Sequence, residues 1–275
     1  MGFNEKFFAT ASSPSGPSAR IANTVQFNGT STPTTGLQDV LYRVPSSASN
    51  RRTWTWSGWV KRLSTSDTGF GIVWNGGNFG TSGGLVNFIN CNWKGNGKLG
   101  IYTATGGAGG QQHSIESTSA FTDTSKYHHI VYVLDTTNTT AADRTRIYFD
   151  GSRLAVATEV GTGTPALNFQ GAVNDTSHYG MIGQYAYATG YTGSFSGRMA
   201  LMDFVDGQAL DPTYFGGTVG SNWLPKTYDG SFGTNGYRLY LANSSSLGTD
   251  TSGNSNTYTS NGLAVGDVNS ETIPS

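Results

Sequence analysis

Charge, cysteine and long apolar runs are all scarce in this sequence. Only 12% of its 275 residues are charged, and 16 basic side chains against 17 acidic ones leave a net charge of −1. Such a balance offers no basic footprint for nucleic acid. Cys91 is the sole cysteine, which excludes an internal disulfide and reads as a small buried hydrophobe. One cysteine and four histidines (His113, His128, His129 and His178) cannot assemble a Cys/His zinc site. No apolar stretch approaches the roughly 20 residues that span a bilayer. The first residues, MGFNEK, carry an acid early and too short an apolar run for a signal peptide. The expectation is a protein folded in a cytoplasm, with no membrane insertion.

Glycine is abundant (39 residues), and much of the remainder is Thr, Ser and Asn. These residues favour turns and strands and serve helix interiors badly. Fourteen Phe, 14 Tyr and 6 Trp supply burial that a disordered chain lacks. A β-rich chain of this length can form one unit and bury a core without covalent staples. Residues 1–20 hold two prolines and no lasting period and read as an N-terminal arm. Residues 21–275 read as a single domain. Phe3, Phe7 and Phe8 are candidate assembly anchors, because apolar side chains on a polar arm are costly to leave in water.

Past the arm, short strand candidates alternate with turn chemistry. Residues 53–61 (TWTWSGWVK) place Trp54, Trp56 and Val60 on one face and Thr53, Thr55, Ser57 and Trp59 on the other. Residues 85–89 and 99–102 flank a glycine-rich turn at 93–97. Residues 127–134 (YHHIVYVL) are apolar enough for a central strand buried on both faces. Asp150 and Gly151 separate the alternating runs 144–149 and 153–158, a strong hairpin signal. Further strands are expected at 179–184, 197–205 and 237–241, with one helical turn at 211–215 that Asp211 caps and Pro212 opens. The glycine-rich stretches 76–84 and 105–110 read as surface loops. Strands at this spacing with almost no helix mean a sandwich or a barrel.

Three segments together resemble the laminin G-like/pentraxin branch of the concanavalin A-like sandwiches. They are residues 54–62 (WTWSGWVKR), residues 127–133 followed by 145–151 (TRIYFDG), and residues 195–210 (FSGRMALMDFVDGQAL). The resemblance implies an all-β jelly roll of two antiparallel sheets with almost no helix. A closer likeness is to virion proteins of marine tailed phages, cyanophages among them. It rests on four blocks: residues 50–62 (NRRTWTWSGWVKR), 206–216 (DGQALDPTYFG), 223–237 (WLPKTYDGSFGTNGY) and 247–256 (LGTDTSGNSN). In ordinary laminin G-like domains a segment like 250–256 precedes the first strand. Here it lies near the C-terminus, opposite residues 27–29 (FNG), so the order resembles a circular permutation with 236–261 pairing near the N-terminal strand. What the likeness implies is a non-enzymatic virion structural protein, either capsid decoration or tail-associated, whose partners are other virion proteins, copies of itself and particle- or host-surface glycans. A receptor-binding adhesin of the tail-fibre type is the alternative, and a glycan-cleaving enzyme is a weaker one.

No catalytic residues are expected. Retaining glucanases of this fold need two carboxylates about 5 Å apart, whereas Glu5, Glu116, Glu159 and Glu271 are widely separated and no E-x-D-x-x-E occurs. Adjacent strand residues His128 and His129 point to opposite faces and cannot chelate one metal together. No cofactor is required. Calcium is a candidate ligand for Asp250, Ser252, Asn254 and Asn256, which alternate oxygen donors around Gly253, against an Asx-rich turn bonding its own backbone. Trp74, Asn75, Asn78, Asn92, Trp93, Tyr185, Tyr187 and Tyr191 combine aromatic platforms with amide donors and are the candidate glycan or protein contacts. Packing is the competing role for each.

Overall fold

The computed structural model describes residues 21, 23–29, 39–65, 71–77, 88–105, 112–185, 193–241, 244–271 and 273. The candidate residues Phe3, Phe7, Phe8, Asn78, Tyr187 and Tyr191 lie outside them, as do 78–84 and 106–110 of the glycine-rich stretches.

The alternating run becomes β3 (Thr53–Arg62), the middle of one eight-stranded antiparallel sheet. Trp54 and Trp56 are fully buried in the main core, whereas Trp59 packs in a separate cluster on the sheet's opposite face. The period of two is thus obeyed. On one side of β3 run β8 (His128–Asp135), β9 (Thr145–Phe149) and β10 (Ser152–Arg153); on the other run β13 (Ser196–Asp206), β1 (Thr24–Asn28) and β18 (Val268–Asn269). A further strand, β16 (Tyr237–Leu239), also pairs with β13. The β13–β3 ladder carries a register shift between Ala200 and Asp203, and β13 pairs with β1 through 196–199 and with β16 through 202–204. Strand β8 is buried at every position but Asp135, as expected of a central strand.

The second sheet also has eight antiparallel strands. Their order is β11 (Val156–Gly161), β7 (Gln112–Ser117), β6 (Leu99–Ala104), β5 (Phe88–Trp93), β4 (Ile72–Gly77), β12 (Tyr179–Ile182), β2 (Val40–Arg43) and β17 (Thr259–Asn261). Side chains from both inner faces interdigitate: Trp54 of the first sheet lies 5.0 Å from Trp74 of the second, and Phe204 stacks on Trp74 at 5.3 Å. A separate hairpin, β14 (Gly216–Val219) and β15 (Asn222–Pro225), stands apart from both sheets. Helix among the described residues amounts to three 3-10 turns of three residues each. At one of them, Pro212–Tyr214, the Asp211 side chain accepts from the Thr213 amide at 2.8 Å as a cap should. The architecture is the all-β, two-sheet jelly roll that the sequence implies.

The Asp150–Gly151 turn has φ of +45° and +81°, the left-handed pair a two-residue hairpin needs. Ile147 and Phe149 point into the core. The returning run differs from the expectation. Only Ser152 and Arg153 pair with β9, and residues 156–161 cross to the second sheet to pair with β7. The crossing follows from Leu154, which turns against the core at the hinge while Thr118 N–H bonds the Ala155 carbonyl at 2.9 Å. The tail returns to its own sandwich: β18 pairs with β1, and Ile273, fully buried, exchanges backbone hydrogen bonds with Ile21 at 3.0 and 3.3 Å.

Candidate functional site

The blocks far apart in sequence meet at one end of the sandwich in a hydrogen-bonded network. Asp206 accepts from the Asn174 side-chain amide at 2.8 Å and from the Asn235 backbone N–H at 3.0 Å. Asn235 in turn donates to the Ser47 carbonyl at 2.9 Å and the Ser49 hydroxyl at 2.6 Å. The Arg43 guanidinium donates to Asn235 Oδ1 at 3.1 Å and to Asn256 Oδ1 at 2.5 Å. Asn254 and Asn256 donate to the Gly236 carbonyl at 2.9 and 2.8 Å. A buried network satisfied in this way fixes a unique arrangement of the loops it ties together.

The four calcium candidates take part in the same network. Asp250 Oδ1 accepts from the Arg238 and Ser252 amides at 2.9 and 2.8 Å, and its Oδ2 from the Ser252 hydroxyl and the Asn256 amide at 2.9 and 2.7 Å. Its lone pairs are thus engaged by four protein donors. The Asn256 side-chain oxygen faces a guanidinium, which repels a second cation. The four residues form the Asx-rich turn, and they do not fit a calcium ion. Among the described residues no three His, Cys, Asp or Glu side chains cluster as a metal site.

Beside the network opens a cleft of about 350 Å³ at the edge of the second sheet, where β12, β2 and the 255–259 segment meet. Its aromatic wall is Tyr179, 45% exposed, with Tyr42 edge-on at 6.2 Å. Both project from the same face because Met181 is opposite Tyr42 in the ladder, making Tyr179 its diagonal neighbour. The lining also carries hydroxyl and amide groups from Ser46, Ser255, Asn256, Thr257 and Thr259, and it includes Arg43. Aromatic face plus clustered oxygen and amide donors is the chemistry that holds a polyhydroxylated ring. The strand that bears Tyr179 is legible in the sequence but the role of either tyrosine is not, since pattern alone does not tell an outward aromatic at a sheet edge from an inward one.

The residues chosen by type fare differently. Trp74 and Trp93 are 2% and 1% exposed and belong to the core, and Asn75 and Asn92 are buried too. Trp93 donates its indole N–H to the Gly97 and Phe121 carbonyls, both at 3.1 Å, and Asn75 donates to the Ile89 carbonyl at 3.0 Å. These four hold the sheet together and have no surface to offer a ligand. Tyr185 is half-buried.

Two constellations bear on catalysis. Glu116 and Glu159, 43 positions apart in sequence, are neighbours through the β7–β11 pairing. Lys94 bridges them, 3.2 Å from Glu116 and also paired with Glu159, and Lys98 lies 2.6 Å from Glu116. The Lys98 hydrogen bond, aided by Lys94, holds the Glu116 carboxyl below its usual range. A glycosidase needs one carboxyl kept protonated, and Glu116 is held in the opposite state. Ser57 and His129 form a second couple, 2.8 Å apart and buried. The Trp223 indole N–H donates to His129 Nδ1 at 3.0 Å. The proton of the neutral ring is therefore on Nε2, facing the serine, where a general base would need a lone pair. Burial lowers the His129 pKa to about 3, so the ring stays neutral.

A second cleft, of about 460 Å³, lies on the outer face of the first sheet beside the β14–β15 hairpin. Trp59 and Tyr127 on its wall are 2% and 5% exposed. The Trp223 ring is packed so closely that a Cβ on Gly151 or Gly216 would come within 2.6 Å of it. Trp223, stacked on His129, is the half-buried aromatic of this wall.

Comparison with solved structures agrees with the architecture. A Bacteroides ovatus protein proposed to bind carbohydrate superposes with a TM-score of 0.50 at 16% identity, covering 93% of this chain and 62% of that one. A heptameric pentraxin from Limulus polyphemus gives 0.45 at 16% identity, covering 70% and 79%. Domains LG4–5 of the mouse laminin α1 chain give 0.44 at 13%, covering 87% and 51%. Likeness at such identity concerns the fold alone. Among curated proteins no sequence matches this chain. Residues 38–209, well over half of the chain, match the laminin G pattern of one family, and the chain belongs to it: the concanavalin A-like lectin/glucanases superfamily.

Proposed function

We propose that this chain is a non-enzymatic recognition domain of a tailed-phage virion that holds saccharide in the Tyr42/Tyr179 cleft. The observation that carries the reading is the exposed Tyr179 face beside a lining of hydroxyl and amide groups. Sugar rings stack on such a face while their hydroxyls exchange hydrogen bonds with the lining. The lysine-clamped glutamates and the misdirected Ser57–His129 proton argue against hydrolysis at either place.

The virion placement rests on the four sequence blocks. Asn50, Asp206, Asn235 and Asn256 of those blocks serve one structural network. What the blocks specify is therefore a scaffold suited to a building block of a particle, with other virion proteins and further copies of itself as partners. Two experiments test the reading. A mass-spectrometric inventory of purified particles should contain the chain, and its absence sinks the virion part. On a glycan array the intact protein should retain saccharides that Tyr179→Ala loses by at least tenfold, about 1.4 kcal/mol. Silence of the whole array, or release of reducing ends from the bound glycans, overturns the saccharide part or the non-enzymatic part respectively.

A further inference from the structure

Resting on that reading of the cleft, the charge of its lining says which saccharides it takes. Arg43 is the one charged residue among those that line the cleft. It also lines an adjoining water-sized cavity of about 20 Å³, and neither lining contains an aspartate or a glutamate. Ion pairs among the described residues engage Arg51, Lys61, Lys94, Lys98, Arg153, Arg198 and Arg238, and Arg43 is one of several basic side chains outside them. Its hydrogen bonds among the described residues go to neutral amide oxygens: the Asn235 carbonyl at 3.4 Å, Asn235 Oδ1 at 3.1 Å and Asn256 Oδ1 at 2.5 Å. A guanidinium has five N–H donors in a fixed fork and stays charged throughout the accessible pH range.

Among the described residues Arg43 has no direct carboxylate partner, since Asp206 and Asp250 are reached only through Asn235 and Asn256. A half-buried cation in that position has given up part of its hydration without gaining an adjacent opposite charge. An anion arriving from the cleft would supply that charge. The two asparagines already fix the orientation of the fork, so little ordering remains to be done on binding. We propose that the cleft selects acidic saccharides, with a carboxylate or sulfate ester on the Arg43 guanidinium and the sugar ring against Tyr179. Charge-assisted contacts of an oxyanion with arginine are about twice as strong as neutral ones, which makes the acid group the determinant of specificity.

The test uses the unaltered protein and matched ligands in titration calorimetry: a galacturonate trisaccharide, its carboxyl-reduced galactose counterpart, and a sulfated galactose trisaccharide. At low salt the galacturonate or the sulfated ligand should bind at least tenfold tighter than the neutral one. The advantage should shrink as salt is raised, and which acidic ligand prevails distinguishes a sugar acid from a sulfate ester. Arg43→Gln, checked for folding by its thermal transition, should bring acidic ligands down to the neutral level. If that variant does not fold, the ligand comparison on the unaltered chain still decides. Equal, Tyr179-dependent binding of acidic and neutral ligands overturns the charge preference and leaves the saccharide site standing. Failure of all three ligands to bind, with silence on the array, removes both.

Discussion

The outer face of the first sheet and the Tyr42/Tyr179 cleft are built from the same chemical parts and put them to opposite uses. On the first, aromatics, an imidazole and an arginine are sealed against each other. Trp59 stacks on His129 at 5.1 Å, His129 stacks on Trp223 at 6.0 Å, and the buried Asp203–Arg238 pair closes with two bonds of 2.8 and 2.7 Å. In the cleft an arginine and two tyrosines stand together with no acid, and one ring is open to solvent. Composition does not distinguish the two regions. What separates them is whether a segment packs over the aromatics, as Leu210, Phe215, Tyr228 and Phe232 do over the first sheet, or leaves an aromatic face exposed beside a cation that only neutral oxygens contact.

If the first face is sealed, damage there should read out in stability, and the ion pair is its most sensitive point. Arg238→Ala leaves the Asp203 carboxylate, 1% exposed, with no counter-charge. The expected loss is about 3–5 kcal/mol in urea unfolding. A loss below about 1 kcal/mol would mean that the face is open to water. Next comes Gly151→Val. The residue has φ of +81°, and a Cβ there would lie 2.6 Å from the Trp223 ring. Backbone strain and overpacking together should cost about 2–4 kcal/mol, whereas substitutions at the exposed Ser152 should be close to neutral by the same measurement.

How much of this was legible in the sequence follows the same division. Strand β3, with Trp54 and Trp56 inward and Trp59 outward, follows directly from its period of two. So does the Asp150–Gly151 turn, because only a left-handed pair closes a two-residue hairpin. The crossing at Leu154 was not legible: residues 153–158 alternate well enough for either sheet, and only the packing of Leu154 decides. Trp74 and Trp93 stand beside amides as surface platforms do, but burial gives them a packing role. Glu116 and Glu159 look unrelated along the chain because strand pairing, not spacing, brings them together. Tyr42 and Tyr179 were passed over because their exposure depends on the end of the sheet, where the 255–259 segment leaves a gap.

The sealed face also carries a titration. His129 is neutral in the fold, its pKa lowered by burial to about 3, against 6.5 in the unfolded chain. As pH falls below about 6.5 the unfolded chain takes up a proton that the folded chain refuses. Stability should therefore fall by about 1.4 kcal/mol per pH unit from this group alone, levelling off near pH 3. His113, lowered by burial as well, adds in the same direction. Between pH 6.5 and 5 the depressed carboxylates Glu116 and Glu271 stay ionised in the fold and add little to the slope. Urea midpoints at pH 7, 6 and 5 measure the slope, and a flat profile would mean that solvent reaches His129.

The smallest expected effect is the most discriminating. Tyr179 is 45% exposed, and its register partner in β4 is Gly77, which offers no side chain to pack against. Tyr179→Ala should shift the unfolding free energy by no more than about 0.5 kcal/mol, while removing the saccharide binding proposed for the cleft. Truncating Trp56, fully buried in the core, should instead cost roughly 3–5 kcal/mol. If Tyr179→Ala destabilised the fold as a core aromatic does, the cleft would be one more sealed surface. The contrast between the two regions would then disappear, because both would be spending their aromatics on packing.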